Sequence, residues 1–375
     1  MKQTIPYLFL LLLTLLLLPS SLSAQQNNHV YLPLLVKVRQ PAGLWLSRSE
    51  IMALPTSGPA WEQVKEEAGR TAVKPDLSNQ DEDTNVIILA KALVHARTGN
   101  TTYRDQVVEA IRVITYENTE DNLGSDGLPQ GRPLSVGRKL VTYIIAADII
   151  NLPSYRPDLD TDFRAKLREL LTKVVDADQD PDDTIQRTHE RRPNNWGTHA
   201  GATRIAIALY LNDTAELDRA AQVFHGWLGD RTAYADFRFS QSDTSWQCDP
   251  DNPVAINPVG CVKEGHAIGG ALPEEMRRGG PFTWPPTDTN YPWEALQGAM
   301  VQAQLLHRAG YPAWEWEDRA LLRAAQFLYQ IGWPAAADDE WQLWLLNHAY
   351  STNFATELPA NTGKNMGFTD WTHGG

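Results

Sequence analysis

Residues 85–116 read NVIILAKALVHARTGNTTYRDQVVEAIRVITY, and the spacing predicts a helix, a short break and a second helix. Between Asn85 and Thr98 the apolar residues Val86, Leu89, Ala90, Leu93 and Val94 share one face of a 3.6-residue period. Gly99-Asn100 interrupts the pattern, and Tyr103 to Tyr116 repeats it. A break this short folds the second helix back on the first.

The same unit recurs three times. Leu140 to Ile150 is followed by Pro153 and Pro157, then Phe163 to Val175. Ala202 to Leu211 is followed by Asn212-Asp213, then Ala215 to Leu228. Trp293 to Ala309 is followed by Gly310-Tyr311-Pro312, then Glu317 to Ile331. No stretch alternates convincingly as sheet, apart from a possible strand or tether at Val30 to Val36. Four weakly similar hairpins predict an all-α chain, an (α/α) toroid of antiparallel helix pairs rather than a regular solenoid. The joining segments 117–137, 178–197, 236–291 and 350–375 are long, and long loops in compact domains are commonly functional. No flexible linker divides the helical part. The expected organisation is a signal peptide at 1–24, an extended leader at 25–46 and one toroidal domain at 47–375.

The N-terminal segment sets the compartment. Lys2 precedes an apolar run from Tyr7 to Leu18, then Pro19 and the small residues Ser20 to Ala24. The run is too short to span a bilayer, which takes about 20 apolar residues. The mature chain is therefore expected to be exported, with no membrane span. Outside the cell, Cys248 and Cys261 are expected to form a disulfide, and two cysteines cannot build a tetrahedral zinc site. With 46 acidic against 33 basic residues and a net charge of −13, the chain does not read as a nucleic-acid binder. The 13 Trp are unusual, since a buried indole needs a partner for its N–H. Indoles also stack on sugars.

Two clusters carry candidate chemistry. The first runs Arg187, His189, Glu190, Arg191, Arg192, Pro193, Asn194, Asn195, Trp196, Gly197, Thr198, His199. Asn194 is a good N-cap, which puts Asn195 and His199 one turn apart on one helix face. Amides and guanidinium groups together suit a carboxylate. The second cluster is Gly269 to Arg278, followed by Tyr291-Pro292-Trp293-Glu294-Ala295-Leu296.

These residues resemble the alginate-lyase superfamily of polysaccharide lyases, whose members are (α/α) toroids. Asn194-Asn195-Trp196-Gly197 is similar to the family's Asn-Asn-His helix start. Gly270-Ala271-Leu272-Pro273-Glu274-Glu275-Met276-Arg277-Arg278 is similar to its Gly-x-Leu-Pro-x-Glu-Leu-x-Arg segment. Tyr291, Ala295 and Leu296 match its Tyr-x-x-x-Ala-Leu. The resemblance covers roughly residues 135–310, with the closing stretch from Gly363 to His373 as a further likeness. It implies that Asn195 binds the substrate carboxyl group, that Arg278 sits beside the carboxylate or the tyrosine, and that Tyr291 is catalytic. Two departures stand out: Trp196 occupies the position of the family's histidine, and the interval from Arg278 to Tyr291 is long. The base is then either His199 or Tyr291, the latter serving as both base and acid. Arg138, Arg191, Arg192, Asn194, Trp196, Arg277, Trp293, Lys364, Trp371 and His373 are the expected substrate-binding residues.

The chemistry explains the residue types. In β-elimination of a uronate polymer, amide and guanidinium groups on the carboxyl stabilise the charge that develops when the C5 proton leaves. A base takes that proton and an acid protonates the departing O4. A tyrosine, ordinarily titrating near 10, needs adjacent positive charge to act as the base. The reaction calls for neither metal nor cofactor, and its partner is an anionic polysaccharide. Nothing in the sequence sets the oligomeric state.

Two rivals remain at this level. A glycoside hydrolase on the same toroid would need a facing pair among Asp243, Glu264, Glu274 and Glu294. A non-catalytic polysaccharide-binding protein would keep the Trp and Arg residues without a paired His and Tyr. The arginines of the two clusters further predict a basic groove in an acidic body.

Overall fold

The computed structural model describes residues 43–72, 74–117, 132–175 and 183–374. The expected signal peptide, the strand at Val30 to Val36 and most of the leader lie outside them.

The helices are α1 (Arg48–Ala53), α2 (Pro59–Gly69), α3 (Thr84–Thr98), α4 (Thr101–Tyr116), α5 (Arg132–Ile149), α6 (Leu152–Tyr155), α7 (Pro157–Thr172) and α8 (Ile185–Arg191). They continue as α9 (Asn195–Leu211), α10 (Thr214–Leu228), α11 (Pro273–Met276), α12 (Tyr291–Arg308), α13 (Trp316–Gln330), α14 (Trp341–Tyr350) and α15 (Thr369–Thr372). Two-residue strands, β1 (Val262–Lys263) and β2 (His266–Ala267), form an antiparallel hairpin.

The four expected helix–break–helix units are present as α3/α4, α5/α7, α9/α10 and α12/α13, with α7 packed mainly on α4, α8 and α9 rather than back on α5. Their terminators act as the sequence predicts: Gly99 ends α3 and Asn212 ends α9, both in the left-handed region that releases a helix. Asn100, Asn194 and Asp213 then cap the starts of α4, α9 and α10 through their side chains. The expected loops hold more structure than their sequence suggests. Residues 132–137 are the start of α5, residues 185–191 form α8 inside 178–197, β1, β2 and α11 lie inside 236–291, and α15 lies inside 350–375. The apolar run begins only at Leu140, whereas the helix starts beside Pro133, a favoured first-turn residue.

The hairpins stack in order. First helices α3, α5, α9 and α12 pack side by side as an inner row, and α4, α7, α10 and α13 lie outside them. Helix α9 is buried on every face from Gly197 to Tyr210, as a helix at the centre of a helical layer must be. Glycines let its neighbours approach it closely. A Cβ on Gly298 of α12 would lie 2.5 Å from the His199 nitrogen, and one on Gly137 of α5 would lie 2.8 Å from the Ala200 nitrogen.

The tryptophans are mostly core. The indole N–H groups of Trp227, Trp293 and Trp371 donate to the carbonyls of Pro193, Trp333 and Pro55, which satisfies each buried donor. Leu44, Trp45 and Leu46, from the end of the expected leader, are buried too, and Trp45 meets the His373 ring edge-on at 5.5 Å. Cys248 and Cys261 form the expected disulfide. Among the described residues, no helix is long and apolar enough to cross a membrane.

Candidate active site

A cavity of about 590 Å³ opens at the N-terminal ends of α9 and α12. Asn195 and Tyr291, the first residues of those helices, both line it. Helix α5 adds Leu134 and Arg138, the loop before α3 adds Gln80 and Asp81, and the C-terminal segment adds Lys364. Arg192, Asn194, Trp196, Arg278, Asn290 and Glu294 complete the wall. Two helix N-termini aimed at one cavity favour an anion there, because unpaired N–H groups and the helix dipole are positive at that end.

The side chains add to that field. Four cations, Arg138, Arg192, Arg278 and Lys364, face two carboxylates, Asp81 and Glu294. Glu294 binds Arg138 through one oxygen and Lys364 through the other, at 2.6 Å for Lys364. Arg192 pairs with Asp183 at 2.6 Å and lies over the Trp196 ring, 4.7 Å from its centroid. Arg278 makes no ion pair among the described residues; its guanidinium lies 4.1 Å from the centre of the Tyr291 ring. Tyr291 is 36% exposed, accessible enough to meet a polymer. The groove is basic in an acidic chain, as the sequence predicts. Only Arg192 and Arg278 of the five clustered arginines supply it, however, with Arg138 and Lys364 doing the rest.

Asn195 is buried at the cavity floor, and its Oδ1 has no hydrogen-bond partner among the described residues. Its backbone N–H donates to Glu275 Oε1 at 2.5 Å, while Asn194 Oδ1 accepts from the Trp196 N–H at 3.2 Å.

Several expected site residues lie elsewhere. His199 follows Asn195 by one turn, as predicted, but that turn carries it beneath the floor: it is fully buried and off the cavity wall. Burial, reinforced by the charges of Arg138 and Lys364, holds its pKa well below the ordinary imidazole value. Arg277 points away and pairs with Glu274 at 2.8 Å. Arg191, the last residue of α8, is off the wall and receives the Arg238 N–H on its carbonyl. Trp293, Trp371 and His373 are core residues, not a sugar platform. Trp371 packs on Trp61 with the two rings tilted by 33°, and His373 bonds Gln304 and Thr372. An aromatic and basic mixture in the sequence does not distinguish a groove from a core, and here apolar packing claimed the aromatics.

Glu294 was legible only as a carboxylate. Its spacing of three from Tyr291 on one helix puts both on the same face, a signal that marks it as a cavity residue. Gln80 and Asp81, in a loop distant in sequence, carried no such signal. The hydrolase candidates do not assemble: Glu274 accepts from the Ser240 N–H and holds Arg277, Asp243 accepts from the Ser245 N–H, and of the four only Glu294 lines the cavity.

The inner and outer helical rows are those of an (α/α) toroid, and the chain resembles solved toroids. A histidine-to-alanine variant of alginate lyase A1-III complexed with a tetrasaccharide is similar over 90% of this chain and 93% of its own, with 12% identity and a TM-score of 0.50. Alginate lyase A1-III from Sphingomonas species A1 is similar over 88% of this chain and 90% of its own, with 12% identity and a TM-score of 0.49. No curated protein matches the chain. The model of the alginate lyase family matches residues 45–233, and the chain belongs to that family. It is a polysaccharide lyase.

Proposed function

We propose that this protein is an exported lyase that cleaves a uronic-acid-containing polysaccharide, of alginate or glucuronan type, by β-elimination. The observation that carries this reading is the meeting of Asn195, Arg278 and Tyr291 in one cavity walled by cations. Asn195 and Arg278 bind the carboxyl group of the sugar whose C5 proton is removed and stabilise the charge that builds on it. Tyr291 takes that proton and returns a proton to O4 of the leaving sugar, acting as base and then acid. The Arg278 guanidinium lies over the ring of Tyr291, 4.1 Å from its centre, so the cation and the tyrosine meet the substrate together. His199, sealed under the floor, is left out of the proton transfers. Arg138, Arg192 and Lys364 bind carboxylates of the polymer, with Trp196 and Asn194 beside them. Export is supported by the N-terminal apolar segment and by the Cys248–Cys261 disulfide.

The test is to incubate purified protein with alginate, glucuronan, hyaluronan and pectate, and to follow both the ultraviolet absorbance of unsaturated uronate and the appearance of reducing ends. A rise in both on at least one polymer is expected. Reducing ends without the absorbance would show hydrolysis instead. Binding without either would leave a non-catalytic polysaccharide-binding protein.

A further inference from the structure

Glu275 is not needed by the elimination itself, yet it lies at the joint of the site. Its side chain is buried, and its Oε1 accepts the backbone N–H of Asn195 at 2.5 Å. The next donors of α9 are served locally: Asn194 Oδ1 takes the Trp196 N–H and the Asn194 carbonyl takes the Thr198 N–H. Glu275 thus caps, from a distant part of the chain, the one early donor of α9 that belongs to Asn195.

The same short element carries Arg278. Helix α11 runs into a 3₁₀ turn over Arg277–Gly279, so Glu275 and Arg278 are three residues apart. The element is fastened on its other side by Glu274, which accepts from the Ser240 N–H at 2.8 Å and pairs with Arg277. One rigid segment therefore both presents Arg278 to the cavity and grips Asn195. Keeping a carboxyl there is costly. Burial pushes its pKa up to about 8, against the opposing pull of the Asn195 N–H and Arg278, and Oε2 has no hydrogen-bond partner among the described residues. Packing alone would favour an apolar residue at this place.

We propose that Glu275 is a positioning residue that fixes Asn195 relative to Arg278, so that both reach one substrate carboxyl group. This rests on the reading of those two residues given under Proposed function. Losing the bond removes no group from the substrate; it lets the Asn195 end of α9 drift, and a misplacement of about 1 Å is enough to cost roughly 10²-fold in rate.

The experiment compares Glu275→Gln and Glu275→Met, each alone and combined with Asn195→Ala, by kcat and KM on a polymer that the wild type cleaves. Thermal unfolding of every variant sets an assay temperature at which all are folded. Gln keeps an oxygen for the Asn195 N–H, whereas Met fills the volume without one. Glu275→Gln is expected to stay within about threefold of the wild-type kcat, and Glu275→Met to lose about 10–100-fold in kcat with a smaller change in KM. In the Asn195→Ala background, Glu275→Met should cost less than about twofold more, because what it positions is gone. Equal losses for Gln and Met, or losses that multiply in full in the double variant, would overturn the proposal. So would wild-type activity in Glu275→Met beside an inactive Asn195→Ala, and that result would leave the function reading standing. Wild-type activity in Asn195→Ala would instead sink the reading of Asn195, and the positioning role with it.

Discussion

The guanidinium of Arg278 lies over the ring of Tyr291, 4.1 Å from its centre, and forms no ion pair among the described residues. The charge that faces the cavity is thus held by an aromatic face rather than by a carboxylate. It stays available to a second anion, which a salt bridge would have consumed.

Tyr291→Phe keeps the ring and the stacked cation and removes only the hydroxyl. Turnover should fall by at least about 10²–10⁴-fold, the usual contribution of a positioned acid or base. The melting temperature should not change, because Tyr291 is 36% exposed. Wild-type appearance of unsaturated uronate in this variant would remove the central assignment.

Lys364→Ala deletes a cation from the cavity wall while Glu294 keeps Arg138. KM for the polymer should rise about tenfold, equivalent to about 1.4 kcal/mol of binding. Added salt should raise the wild-type KM in the same direction by screening the cavity charges. A KM indifferent to both would mean that the cations do not hold the substrate.

His199→Ala separates structure from chemistry. The residue is fully buried against the backbone of Gly298. Truncation should cost about 2–4 kcal/mol of stability, as for other large-to-small core changes. Below the melting transition, kcat should stay within about tenfold of wild type. Abolished turnover in a folded variant would make His199 the base after all.

His373 predicts a pH dependence of stability. Burial, with His348 and Arg308 nearby, pushes its pKa down from 6.5 to about 3. Between those values the unfolded chain binds a proton that the native state refuses. Stability is therefore lost as pH falls below 6.5, by about 1.4 kcal/mol per pH unit from this residue. His373→Gln removes the effect. Denaturant unfolding from pH 7 to 4 should show the wild type losing its stability advantage over the variant as pH falls. Buried carboxyls such as Asp148 and Asp339, raised to about 6 and 7, act oppositely but are common to both proteins. A constant gap would show that His373 titrates alike in the native and unfolded states.

The paired change Cys248→Ser with Cys261→Ser should lower stability by about 3 kcal/mol, the chain-entropy value for a cross-link of this span. The melting temperature checks it. An unchanged melt would mean that the Asn257 side chain, which donates to the Trp246 carbonyl and accepts from the Cys248 N–H, holds this loop without the cross-link.

Much of this protein is local and could be read along the chain. Helix period, Gly99, Asn212 and the side-chain caps act over a few residues, so the hairpins and the helix start at Asn194 follow from short-range stereochemistry. Asn195, Arg278 and Tyr291 were picked out differently, by the likeness of their motifs to those of the alginate lyase family. The sequence by itself thus determined the helical pairs and the all-α class, and it named three residues that the structure brings to one cavity. Only the tertiary structure decided which other residues join them. Whether His199, Trp371 and His373 face sugar or core depends on how α9 packs between α5 and α12 and on where the C-terminal segment docks. Those are contacts between residues far apart in sequence, where close packing overrides chemical suggestion. The same docking brought Lys364 to Glu294 and Glu275 to Asn195, bonds that span 70 and 80 residues and have no local trace.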